Sequence, residues 1–151
     1  LNSWAEGEDY GLVGDVQAVD ASILKDLQDS HAIPVIAPMG VGRDGRTYNI
    51  NADLVAGAIA AALGAEKLVV LTDVRGIKDE DGKHVSTLAR KDIARMVKKG
   101  TISEGMLPKV QACLNALEGG VKKAHVIDGR TPHAILLEIF TDKGIGTEIL
   151  A

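Results

Sequence analysis

At 151 residues the chain has the size of one compact domain, and three or more domains are excluded. With 46% hydrophobic and 25% charged residues it is too apolar to be disordered, and its 3% aromatic content means a core of Val, Ile, Leu and Ala with almost no stacking platforms for single-stranded nucleic acid. A net charge of −4 also argues against phosphate-backbone binding, and the single cysteine rules out an internal disulfide or a Cys-based zinc site.

The chain opens at Leu1 without an initiator Met, in an acidic run that carries Trp4, Glu6, Glu8, Asp9 and Tyr10, so it is expected to be a piece of something longer. No stretch approaches the roughly 18 uninterrupted apolar residues of a membrane span, no signal peptide is visible, and the expected location is cytoplasmic. Leu12 to Val19 reads as a strand and Ala21 to Ser30 as a helix with Ile23, Leu24 and Leu27 on one side. Ile33 to Ala37 reads as a short buried strand, in which Pro34 points to an edge position or the strand's first residues. Asp44-Gly45, between Gly42 and Tyr48, signals a hairpin. Asp53 to Leu63 is a helix of small residues, suited to close approach to a sheet and closed by Gly64.

Lys67 to Thr72 is the most strand-like run, and Asp81-Gly82 signals a second hairpin between Gly76-Ile77-Lys78 and His84-Val85. Helices follow from about Ala89 to Lys99 and from Pro108 to Glu118, ended by Gly100 and Gly119-Gly120. Ala124 to Ile127 is a strand, Pro132 to Phe140 a helix and Thr147 to Leu150 a last strand. The alternation predicts an α/β fold of three layers, a mainly parallel open sheet between helix layers, with two β-hairpins attached.

In such sheets ligands bind beyond the carboxyl ends of strands, which singles out Asp73 and the Val74-Arg75-Gly76 turn after it. Asn49, Asn51 and Asp53 precede the small-residue helix, where capping accounts for one polar residue but not for three within five positions. Pro108 suits the first helical position and so puts Lys109 in the first turn, where the helix dipole disfavours a cation unless an anion such as phosphate is served as well. Gly105 allows a tight approach to that helix end, and Met106 can wall a purine. Each residue has a plainer reading: a turn residue at Asp73, a helix cap at Asn51 or Asp53, a solvated lysine at Lys109. Cys113 reads as a core residue, no His pair has metal-ligand spacing, and no Walker loop, dinucleotide fingerprint or nucleophile elbow is present.

Four runs, Tyr48-Asn49-Ile50-Asn51-Ala52-Asp53, Leu71-Thr72-Asp73-Val74-Arg75-Gly76-Ile77, Gly105-Met106-Leu107-Pro108-Lys109 and His125-Val126-Ile127-Asp128-Gly129-Arg130, resemble acetylglutamate kinases of the amino acid kinase superfamily in order and spacing. The resemblance covers nearly the whole chain but only the carboxyl-terminal half of such an enzyme. It implies residues 1–40 as the tail of a substrate lobe and 41–151 as an ATP-binding lobe. It further implies transfer of the ATP γ-phosphate, with Mg2+ bound through the nucleotide phosphates, to the side-chain carboxylate of N-acetyl-L-glutamate, an early step of arginine biosynthesis.

By that resemblance Lys109 neutralises charge on the transferring phosphoryl group, Asp53 positions the catalytic lysines, and Asn49 and Asn51 contact the acetylated amino acid. Asp73, Val74, Gly76, Ile77, Thr101, Ile102, Ser103 and Met106 line the nucleotide pocket. An arginine effector site is implied at His125, Glu138 and Gly144, with Lys78 facing the effector carboxylate; the plainer reading of Glu138 is a residue that ends a helix. The family's amino-terminal glycine-rich loop, second catalytic lysine and substrate-binding arginine have no counterpart here, so the chain alone is expected to bind adenine nucleotide weakly and not to turn over. The intact enzyme is expected to be a homo-oligomer. The alternatives are a carbamate, aspartate or nucleotide kinase of the same superfamily, or a non-catalytic module that senses arginine or ATP.

Overall fold

Leu68 and Val70 alternate with less buried neighbours along Lys67–Thr72, whereas Ala124 to Ile127 is buried without a break along Lys123–Asp128. The first pattern suits an edge strand and the second a strand covered on both faces. In the computed structural model, which describes residues 11–141 and 144–151, these two runs are β3 and β5, paired in parallel from Lys67↔Lys123 to Thr72↔Asp128. They belong to a four-stranded sheet of order β3-β5-β6-β4, with β4 at Thr87–Ala89 and β6 at Thr147–Leu150. β4 and β6 are parallel, and β5 and β6 are antiparallel. A separate antiparallel hairpin joins β1 (Met39–Val41) to β2 (Thr47–Asn49) through the predicted Asp44-Gly45 turn. The acidic run around Trp4 lies outside the described residues.

One sheet face carries the main core. Leu68, Val70, Ala124, Val126 and Ile149 pack there with Ala60 of α2 (Ala52–Leu63), Ile93 and Met96 of α3 (Arg90–Lys98), and Val110, Cys113 and Ala116 of α4 (Leu107–Glu118). His125 points to the other face, where it meets Glu138 of α5 (Ala134–Phe140), so helices cover both sides of the sheet. The α/β layering is as the alternation of strand and helix signals requires. A shorter helix, α1 (Ser22–Asp29), buries only Leu24.

The small-residue helix α2 makes its closest approach to α4 rather than to the sheet. A Cβ on Gly57 would lie 2.6 Å from the Ala112 carbonyl oxygen, so the two backbones touch where no side chain fits. Gly64 ends α2 in the left-handed region, at φ 61° and ψ 40°, and Ala65 N–H closes the cap on the Ala60 carbonyl.

Two expected strands do not form. Of Leu12 to Val19, only Val13 makes a bridge, to Asn49 beside the β1–β2 hairpin. Ile33 to Ala37 forms neither strand nor bridge among the described residues, with Ile33 91% and Val35 96% exposed. Apolar runs become strands only where another edge takes up their N–H and C=O groups; the β2 edge does so only around Val13, through Asn49 N–H to the Leu12 carbonyl and Gly14 N–H to the Asn49 carbonyl. The second hairpin forms as a turn with one bridge, Lys78↔His84, and Val85 N–H bonded to the Ile77 carbonyl. Helix α5 starts two residues later than its pattern suggests, because His133 takes the left-handed conformation at its cap, φ 58°.

Candidate functional site

Asn51 caps α2: its Oδ1 accepts the N–H groups of Asp53 at 3.0 Å and Leu54 at 3.3 Å. Capping is thus one role of Asn51, which leaves its amide nitrogen and the exposed Asn49 on β2 beside the helix start. Replacing Asn51 by Ala is expected to lower stability by about 1 kcal/mol, read from the urea midpoint.

Asp53, in the first turn of α2, meets Lys109, in the first turn of α4. Lys109 Nζ donates to Asp53 Oδ2 at 2.9 Å across 56 residues of sequence. The anion that a lysine at a helix start requires is supplied in part from within the chain. The two side chains are 21% and 19% exposed, so the pair is shielded on most sides and open on one. Such a pair holds the ammonium in place, and loss of either partner strands a charge. Next to it, a Cβ on Gly105 would touch nothing within 4 Å, so the approach to the start of α4 is clear.

At the carboxyl ends of β3 and β5, Asp73 and Val74 are exposed beyond β3, and Thr72 Oγ1 donates to Asp73 Oδ1 at 3.3 Å. Opposite Thr72 in register stands Asp128, gripped by Arg130 through Nε at 2.9 Å, Nη2 at 2.8 Å and the backbone N–H at 3.0 Å. Those hydrogen bonds hold the Asp128 carboxyl down at about 2. Asp73 in turn adds to the field at the Arg130 guanidinium. Asp128 and Arg130 stand in the His125 to Arg130 run but were not among the expected site residues; the Asp-Gly-Arg turn is the local signal for them.

The remaining nucleotide-side residues divide into two groups. Ile77, Ile102 and Met106 are buried in the main core, where they hold loop backbones in place. Thr101 lines an open groove of about 660 Å3 with Lys78, Asp79, Glu80, Lys99 and others, and Lys99 Nζ bonds Glu80 Oε1 across it at 2.7 Å. Ser103 is exposed just before the short 3-10 turn Glu104–Met106 that leads into α4. Lys78 is therefore grouped with Thr101, while the other three effector candidates form a cluster of their own.

In that cluster, His125 Nδ1 and Glu138 Oε1 are 2.5 Å apart and buried, and Glu138 Oε2 accepts the Ile145 N–H at 2.7 Å. Gly144 lies against the carboxylate: a Cβ there would be 3.1 Å from both oxygens. Glu138 thus does more than end a helix. Among the described residues, His125 Nε2 is buried with no hydrogen-bond partner. Burial pushes the Glu138 carboxyl up, but the hydrogen bonds from Ile145 N–H and His125 outweigh it and hold it below its ordinary value of 4.5. A carboxyl lowered by folding stabilises the fold fully above its unfolded value, and this contribution is lost as pH falls through the lowered one. Below pH 4.5, the fall in thermal midpoint with acid is expected to flatten in Glu138→Gln relative to the parent.

Cys113 is fully buried and its thiol is pushed up to about 12, in keeping with a core residue. Among the described residues no group of three or more His, Cys, Asp or Glu could hold a metal ion, and no helix is long and apolar enough to cross a membrane.

A mainly parallel sheet with helices on both faces, and a lysine–carboxylate pair joining two helix starts, place the chain among the layered α/β proteins. Residues 2–128 match the model of the amino acid kinase family, and the chain belongs to that family. It is 59% identical over 145 residues to an acetylglutamate kinase of Geotalea uraniireducens, a match that takes in 96% of this chain and 50% of that protein. An acetylglutamate kinase of Geotalea daltonii is 60% identical over 146 residues, with 97% and 50% covered. The chain thus spans about half the length of these relatives. Among solved structures, the N-acetylglutamate synthase of Neisseria gonorrhoeae, complexed with coenzyme A and L-arginine, superimposes with a TM-score of 0.87 at 30% identity, over 97% of this chain and 34% of that one. A carbamate kinase of Giardia lamblia shares the fold, with a TM-score of 0.66 at 21% identity, over 87% of this chain and 44% of that one.

Proposed function

We propose that this chain is the ATP-binding portion of an acetylglutamate kinase, and that the whole enzyme phosphorylates the side-chain carboxylate of N-acetyl-L-glutamate in the cytoplasm. Residues 41–151 make up the nucleotide lobe and 1–40 the tail of the substrate lobe. The observation that carries the reading is the Lys109–Asp53 pair, 2.9 Å apart, in a chain 59% identical to an acetylglutamate kinase. ATP supplies the phosphoryl group, with Mg2+ carried on its phosphates. Lys109 holds the negative charge that spreads over the phosphoryl oxygens, and Asp53 keeps the ammonium aimed. Asn49 and the free amide of Asn51 face the acceptor. Asp73, Val74, Gly76, Ile77, Thr101, Ile102, Ser103 and Met106 form or support the nucleotide side. A carboxylate acceptor is already ionised near neutral pH, so no general base is needed.

The buried Glu138, with Gly144 against it and His125 beside it, supports an arginine-responsive site, since a guanidinium matches a carboxylate in two hydrogen bonds. The likeness to a synthase solved with L-arginine supports the same reading. Lys78, in the separate groove beside Thr101, is the candidate for the effector carboxylate. The test is a coupled assay of acetylglutamate-dependent ADP formation, on this chain alone and on a protein that joins it to a relative's amino-terminal half. Turnover by the joined protein only is the expected result; turnover with carbamate or aspartate in place of acetylglutamate would move the assignment within the family. Calorimetry with arginine and with Mg2+-ATP separates a kinase lobe from a sensor, because arginine binding without nucleotide binding favours the sensor.

A further inference from the structure

Thr147, at the start of β6, is fully buried, yet its hydroxyl is used on two sides. Oγ1 accepts the Ile77 N–H at 2.9 Å and donates to the Val85 carbonyl at 2.6 Å. These bonds grip both arms of the 77–85 hairpin, which closes on itself through Val85 N–H to the Ile77 carbonyl. With its one proton given to Val85, the hydroxyl keeps only acceptor capacity toward His84 Nε2, 3.5 Å away.

The adjoining turn has no slack. A Cβ on Gly76 would sit 2.5 Å from Thr147 Oγ1 and 2.9 Å from His84 Nε2, and Gly76 holds φ at +147°, where a side chain is strained in any case. Thr147 itself is anchored on the opposite side. Two residues before it, Ile145 N–H is bonded to Glu138 Oε2, and a Cβ on Gly146 would lie 2.2 Å from the Val126 carbonyl oxygen. The hydroxyl is therefore a rigid point on β6 to which the turn after β3 is attached.

We propose that Thr147 is a positioning residue for nucleotide binding: its hydroxyl sets the Ile77 peptide and so the course of the Asp73–Ile77 turn at the end of β3. The inference rests on the nucleotide reading of that turn given above. If packing alone were required, Val would serve equally at this position; the two hydrogen bonds are what Val cannot supply.

The test compares Thr147→Val and Thr147→Ser with the parent chain of 151 residues by amide hydrogen exchange and by calorimetric titration with Mg2+-ATP. In the parent, the Ile77 amide is expected to be protected like an amide of the sheet. In Thr147→Val it exchanges about tenfold faster, the size of effect expected for the one hydrogen bond lost at that amide, and the Kd for Mg2+-ATP rises about tenfold, while the amides of β3 and β5 keep their rates. Thr147→Ser restores both values toward the parent. An unprotected Ile77 amide in the parent overturns the proposal even if Thr147→Val does not fold. So does equal acceleration of the β3 and β5 amides, which marks a merely structural role, and so does an unchanged Kd in Thr147→Val. If the parent binds no Mg2+-ATP, the nucleotide reading itself fails and this inference with it; if the parent binds and Thr147→Val binds as tightly, only the inference fails.

Discussion

Replacing Lys109 by Ala, in a protein that joins this chain to a relative's amino-terminal half, is expected to lower kcat by about 10²–10³-fold with a much smaller change in KM. The ammonium acts on charge that appears as the phosphoryl group transfers, so its loss falls mainly on the step rather than on binding. Asp53→Asn is expected to give a smaller loss, because it leaves the ammonium present but no longer held by the 2.9 Å contact. Combining the two should cost little more than Lys109→Ala alone, since the partners act as one unit. Additive losses in the double variant would mean that Asp53 works apart from Lys109, and unchanged kcat in Lys109→Ala would remove the lysine from the chemistry.

The largest expected effect on stability comes from Gly57→Leu. A Cβ at this position would lie 2.6 Å from the Ala112 carbonyl oxygen and 3.1 Å from the Ala112 Cα. Both are backbone atoms, which do not rotate out of the way, so α2 and α4 must move apart. That separation costs about 3 kcal/mol or more, read as a fall in the urea midpoint or as failure to fold. Ala56→Leu is the control: Ala56 precedes Gly57 on α2 and is exposed, and a change there should stay within about 0.5 kcal/mol. The same spacing of α2 and α4 sets the distance from Asp53 to Lys109. A Gly57 variant that still folds should therefore also lose turnover in the joined protein.

The parts of the fold that depend on local chemistry were legible from the residues. Asp44-Gly45 marked the first hairpin, Gly64 the end of α2, and Lys67 to Thr72 the strand β3, each through a preference that acts within a few positions. The strands expected at Leu12 to Val19 and Ile33 to Ala37 failed for the opposite reason, since pairing depends on a neighbour that sequence periodicity does not reveal. β4, three residues long, carries too little pattern to be seen. Pro108 places Lys109 at a helix start and the polar residues before α2 single out Asp53, but the link between the two, 56 residues apart, came only with the family resemblance. His125 and Glu138 came in the same way. The role of the Thr147 hydroxyl had no local signal, because a threonine in a strand is ordinary until its hydroxyl is found buried between the two arms of the 77–85 hairpin.

The position of β6 between β5 and β4 has a consequence for biosynthesis. Among the described residues β4 pairs only with β6, although β6 is made much later. As the chain leaves the ribosome, β3, α4 and β5 can assemble first, since β3 and β5 pair directly, while β4 waits unpaired with its apolar Leu88. Only when Thr147–Leu150 emerges and slots between β5 and β4 does the sheet close. A ribosome stalled before Thr147 would therefore hold a nascent chain that exposes an apolar face, the kind of intermediate on which chaperones act.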